Sequence, residues 1–317
     1  MTLFKENHDA IAHNPNWLSL LRIGVALVLI VKITAEFQHA YVIYSSQGII
    51  QGVVNEKIFT PYTLTLHQLF NLVSAWMAED VFINVFFIIC FLLAIVLLVG
   101  WQTRIVAIAC WLFHVCLFNN SPLVSYGVDS FLLSLLFYCC IFPAHLTWSI
   151  DCWRHHYNYN TNHLRQYQFF LQLHLSVVYL VAGVAKLQGV TWLNGEAVWY
   201  AISQPQFQSW FSSPFMNFAA KFPFIIYALT WSTLFVEIGY GFFIWFKRVR
   251  AFFFIAVIMM HFFIGIVMQL QLFAFVMIVF NIAAFGTLIY ADLTEMARKI
   301  RKRQPQTVVS PSIKVIS

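Results

Sequence analysis

The chain has 317 residues, of which 61% are hydrophobic and only 9% charged, with 34 phenylalanines and a formal net charge of +6. That apolar surface exceeds what a soluble domain of this length can bury, so a soluble enzyme is excluded and the partner of most of the surface is the lipid bilayer. The basic residues flank apolar runs instead of forming a patch with interleaved aromatics, so a nucleic-acid partner is excluded as well.

Residues 1–15 are polar and read as a cytoplasmic N-terminal segment. The first apolar run, from Trp17, has no small-residue cleavage site, which makes it a span and not a signal peptide. Length and hydropathy predict an all-α polytopic integral membrane protein of about eight transmembrane helices. They fall at about 17–35, 81–100, 105–119, 127–144, 168–187, 223–246, 250–268 and 272–290. Only Gln269-Leu270-Gln271 parts the last two, so one long span is the alternative. Two longer outer segments remain. Residues 37–80 are mixed and aromatic, and residues 188–222, rich in Trp, Phe and Gln, are either an interfacial or re-entrant segment or a structured loop. Residues 16–292 form one transmembrane domain, and 293–317 form a basic cytoplasmic tail, solvated and disordered from Thr294, that suits anionic lipid. No internal repeat is visible, which argues against an inverted-repeat transporter.

Charge sets the orientation. With the N-terminus inside, the inner segments hold Lys5, Arg104, Arg154, Arg165, Lys247, Arg248, Arg250, the run 298–303 and Lys314, whereas the outer loops hold Lys57 and Lys221. This positive-inside bias predicts both termini in the cytoplasm. The six cysteines show no CxxC or Cys/His metal spacing and read as small buried hydrophobes, with no metal site.

Charges within spans demand an explanation, because a lone ion in hydrocarbon costs several kcal/mol. Arg22 and Glu237 both fall toward the inner half and are expected to form a structural ion pair. Lys32 and Glu36, at i,i+4, are positioned to neutralise each other. The fifth span carries Gln172, Ser176, Tyr179, Gly183 and Lys186 on one helical face, ending in Lys186 at the outer side. Asp129 at the start of the fourth span and His261 in the seventh complete an outer set that would line a polar cavity if it converges. The bland alternatives are a snorkelling Lys186, an N-capping Asp129 and a helix-bridging His261.

The segment VYLVAGVAKLQGVTWLNGEA resembles that of vitamin K-dependent gamma-glutamyl carboxylases and their bacterial relatives, which share the horizontally transferred transmembrane (HTTM) domain. LRIGVALVLIVKI, VGWQTRIVAIACWLF, VSYGVDSFLLSLLF, WSID and MMHFFIGIVMQLQLFAF follow the family's order over about residues 15–290. The resemblance implies that Lys186 is a catalytic base acting on a membrane quinone or other lipid-borne substrate. It implies that His261 assists it, that Asp129, Tyr179 and Trp192 belong to the binding site, and that the chain is a multi-pass protein of a cell membrane, in bacteria the inner one. The family's lysine before the catalytic one is here Ala185, and its large lumenal region gives way to the basic tail, so carboxylation of a peptide glutamate does not follow. WLNGEAVWYAISQPQF is also similar to membrane proteins that mature a sporulation-delaying toxin peptide, which implies a secreted peptide as partner. A transporter or a purely structural membrane protein is the remaining reading.

Overall fold

The computed structural model describes residues 15–49, 63–120, 124–155 and 161–303, with side chains left out at 161, 162 and 300–303. All the expected spans are helices: α1 (Asn16–Phe37), α2 (Glu79–Val99), α3 (Thr103–Asn120), α4 (Gly127–Ile141), α5 (Thr161–Leu187), α6 (Phe224–Phe243), α7 (Lys247–Val267) and α8 (Gln271–Arg303). Seven are long and apolar enough to cross a membrane; α4 is the shorter, eighth apolar helix. The division between α7 and α8 is real, with Gln269 turning the chain at φ 55°. The basic tail begins inside a helix, because α8 continues through Arg303 where disorder was expected from Thr294. Glu295 explains the extension: it bonds Lys299 one turn on and Lys247 across the interface, both at 2.6 Å. Residues 304–317, the first 14 residues, and Lys57 lie outside the described residues.

Helices α1 and α8 form the middle of the bundle, packed so closely that a Cβ on Gly24 would stand 2.5 Å from Val279. An aromatic chain marks one end. Trp17 meets Phe142, Phe142 meets Tyr167, Phe169 meets Trp245, and Trp245 meets Phe285. Helix α2 ends at this same level on Gly100, whose φ of 73° permits the tight final turn in which Gly100 and Trp101 bond back to Leu97 and Val96.

Here the structure corrects the expected Arg22–Glu237 pair. The Arg22 guanidinium is fully buried and donates to the carbonyls of Leu97, Leu98, Ala144 and Trp148. Its fork fits several diverging acceptors at once: the Leu98 carbonyl at the end of α2 is among those a helix terminus leaves over, and the Leu97 carbonyl takes the arginine beside the Gly100 amide. The arginine therefore caps a helix end and ties down loop 143–149, while Glu237 has a different cation. Asp151 closes the neighbouring corner by accepting from the Gln102 and Thr103 amides and the Thr103 hydroxyl.

Candidate functional site

Helices α5 and α6 run antiparallel with glycines at the seam. A Cβ on Gly183 would lie 2.6 Å from Ile238, and one on Gly241 would lie 3.0 Å from Leu180. This register brings Leu187, the end of α5, level with the middle of α6, which then continues for about ten residues, roughly 15 Å, toward Phe224. Residues 188–222 fold against that extra length as the short helices Val190–Leu193, Ala197–Ser203 and Ser212–Lys221. The Val198 amide bonds the Thr230 hydroxyl on α6, and the Ser209 and Ser212 hydroxyls both bond the Val267 carbonyl that ends α7.

Lys186 is therefore not at the outer end of the bundle. Its Nζ stands 2.6 Å from Glu237 Oε2, halfway along α6, with the Trp192 ring centroid 5.4 Å from the same nitrogen. The lysine side chain is 25% exposed and the glutamate 9%, so the pair is open on one side only. Val184 and Leu187, elsewhere on the surface of α5 at this level, are exposed apolar residues that suit contact with lipid.

A directed hydrogen-bond chain lies beside this pair. Asn281 donates to the Met277 carbonyl and, over 2.8 Å, to the Tyr179 hydroxyl oxygen; Tyr240 donates to the Asn281 carbonyl oxygen. With its oxygen taken by Asn281, the Tyr179 hydroxyl has its own proton free for His261 Nε2, 2.8 Å away. His261 is then the tautomer with hydrogen on Nδ1, and that nitrogen is buried without a hydrogen-bond partner. Lys186 lies within Coulombic reach of His261, and Glu237 within reach of Tyr179. Lys186, Trp192, Tyr179 and His261 are thus brought into one neighbourhood. Glu237, Tyr240 and Asn281 join them unforeseen; a lone asparagine in the apolar run VMIVFNIAAF was the sequence signal for the last.

Asp129 is not part of this neighbourhood, which corrects the single outer cavity expected from depth. Lys32 Nζ lies 2.7 Å from Asp129 Oδ1 and also contacts Glu36. Tyr44 donates to Glu36 over 2.9 Å, and Asp129 Oδ2 accepts from the Tyr126 amide at the start of α4. Asp129 is drawn there because α1 packs on α4, whose N-terminus favours a carboxylate.

Among the described residues no group of three or more His, Cys, Asp and Glu side chains is arranged to hold a metal ion. All six cysteines are unbridged, four of them buried. An open cleft of about 340 Å³ lies where Ala197–Ser203 meets the start of α6, lined by Glu196, Trp199, Tyr200 and Tyr227 among others.

Comparison with known proteins gives one family. A model of the HTTM domain matches residues 12–287. No curated protein and no solved structure matches the chain.

Proposed function

The chain belongs to the HTTM domain family, and from that premise we propose that it is a membrane enzyme with Lys186 as general base on a lipid-borne molecule bearing an ionisable hydroxyl, such as a membrane hydroquinone. The observation that carries this reading is the Lys186–Glu237 pair, 2.6 Å apart, with a nearly buried carboxylate and a quarter-exposed lysine in the middle of apolar helices. An ammonium is no base, but in a low-dielectric site its proton can pass to Glu237, leaving a neutral amine and a neutral acid with no change in net charge. The amine then takes the hydroxyl proton, and the substrate oxygen is left as an anion beside the ammonium. The unpartnered Nδ1–H of His261 supplies a hydrogen-bond donor for a substrate oxygen, and the Trp192 ring a flat surface for an aromatic one.

The basic residues Arg104, Arg165, Lys247 and Arg250 sit at the starts of α3, α5 and α7. They support an orientation with this end in the cytoplasm of a cell membrane and the 188–222 segment outside. In that orientation the site is reached from the bilayer beneath an outward-facing cap.

A direct test uses proteoliposomes and a naphthohydroquinone. Its ionised form reacts with dissolved oxygen faster than its neutral form, so a working base accelerates oxidation. Wild type should accelerate it, and Lys186→Ala should not. Full activity in both Lys186→Ala and Lys186→Arg would sink the base role, and activity in Lys186→Arg alone would reduce Lys186 to an electrostatic anchor.

The cleft over Glu196, Trp199, Tyr200 and Tyr227 favours a second reading, in which the 188–222 cap receives a secreted peptide for maturation. Aromatic walls with one carboxylate suit a peptide carrying a cationic residue. Under that reading Tyr227→Ala and Glu196→Gln abolish peptide processing while Lys186→Ala spares it.

A further inference from the structure

We propose that the cleft between the 188–222 cap and the start of α6 holds the headgroup of a zwitterionic phospholipid, with Glu196 taking its ammonium and Lys221 its phosphate. Such a site is independent of the chemistry at Lys186, and it gives the cleft a lipid in place of a peptide. Two unmatched charges mark it. Glu196 lines the cleft, and Lys221 ends the helix Ser212–Lys221 between two other lining residues, Ala220 and Pro223. Among the described residues neither makes an ion pair, whereas Glu36, Asp129, Glu237, Asp292 and Glu295 each do. An unpaired carboxylate and an unpaired ammonium at one concavity complement a ligand that carries both charges itself.

The walls suit the same ligand. Trp199, Tyr200 and Tyr227 line the cleft with Glu196, and aromatic rings attract alkylammonium groups. These walls are fixed in advance. At Gly195, where φ is 80°, the cap backbone runs so close to α6 that an added Cβ would lie 2.5 Å from the Tyr227 ring and 3.1 Å from Trp231 Nε1. On either side of that contact the Glu196 amide bonds the Thr191 carbonyl at 2.9 Å, and the Val198 amide bonds Thr230. Position then selects the occupant. Pro223, Ile226 and Tyr227 belong to the first turn of a helix long and apolar enough to span a membrane, which is the level of the lipid headgroups. Phe218, Phe222 and Phe224 are exposed around it. A peptide arriving from water leaves that apolar rim uncovered, whereas a phospholipid brings ammonium, phosphate and acyl chain together.

Native mass spectrometry of the full chain, freed of lipid in detergent, counts bound lipids one by one and needs no turnover. The first phosphatidylethanolamine or phosphatidylcholine should bind about tenfold more tightly than the first phosphatidylglycerol, which offers a phosphate but no ammonium. Glu196→Gln should remove that preference by weakening the two zwitterionic lipids alone, and Lys221→Met should weaken all three. Glu196→Gln replaces a side chain without an ion-pair partner, and Tyr200→Leu alters the most exposed wall, so folding is preserved in both. Tyr200→Leu should also weaken the zwitterionic lipids. Equal first binding of all three lipids in wild type, or survival of the preference in Glu196→Gln, would overturn the proposal. So would a lysine-bearing peptide that fills the site where phosphatidylethanolamine leaves it empty.

Discussion

Gly183 on α5 faces Ile238 on α6 with no room for a side chain: an added Cβ would sit 2.6 Å from Ile238 Cγ1 and 3.2 Å from the Ile238 amide nitrogen. The same contact fixes the Lys186–Glu237 distance, since Lys186 is one turn beyond Gly183 and Glu237 immediately precedes Ile238. Gly183→Ala should therefore lower stability by about 1–3 kcal/mol through overpacking. It should also lower activity beyond what that stability loss explains, because α5 must shift away from α6. Thermal unfolding in nanodiscs, set beside turnover at a temperature where both proteins are folded, measures the two effects separately.

Glu237→Gln removes the carboxylate that holds the Lys186 ammonium. The destabilisation should reach up to about 3 kcal/mol, below the figure for a fully enclosed pair because Lys186 is a quarter exposed. The double variant Lys186→Met with Glu237→Leu should recover most of that stability yet remain inactive. A double variant no more stable than Glu237→Gln would show that the loss comes from the broken contact and not from an unpaired ammonium.

Arg22→Met takes the arginine from four carbonyls, of which Leu97 alone keeps another donor in the Gly100 amide, and should cost roughly 3–5 kcal/mol. Arg22→Lys should recover only part of this, since a single ammonium cannot reach diverging carbonyls as the guanidinium fork does. Combining Arg22→Met with Glu237→Gln should give additive losses within about 0.5 kcal/mol. A strong coupling would revive the ion pair between them.

Burial opposes the Asp151 charge, but hydrogen bonds from Thr103 and the Gln102 amide outweigh it and hold the carboxyl below its ordinary value of 3.8. A depressed carboxyl contributes stability that is complete above the unfolded value and disappears as pH falls through the folded one. The thermal stability gap between wild type and Asp151→Asn should thus stay constant from pH 7 to about 5 and close below roughly pH 4. A gap that widens in acid would contradict the hydrogen-bonded corner.

The helices were legible because apolar length is a one-dimensional signal, and even the break at Gln269 was visible. The partners of the buried charges were not. Depth along each span put Arg22 beside Glu237, but pairing depends on which helices touch and on where α5 stops relative to α6. The glycines at 183 and 241 encode that register, yet without a neighbour to pack against they are only small residues in an apolar run. Lys186, Tyr179, Trp192 and His261 were singled out from a shared face and a family likeness, and the fold brings them near one another. Asn281 and Tyr240 had no such guide, because their hydrogen bonds to this neighbourhood come from the packing of α8 against α5 and α6.

The acceptors that Arg22 needs are distributed far along the chain, up to 126 positions away at Trp148. A ribosome-bound chain whose first span has just entered the bilayer has none of them. Until α2 has turned at Gly100 and the loop after α4 has arrived, that guanidinium must stay hydrated at the membrane surface. Helix α1 is thus made before the acceptors it needs and is among the last to reach its final depth. Assembly of this protein waits on its own middle third.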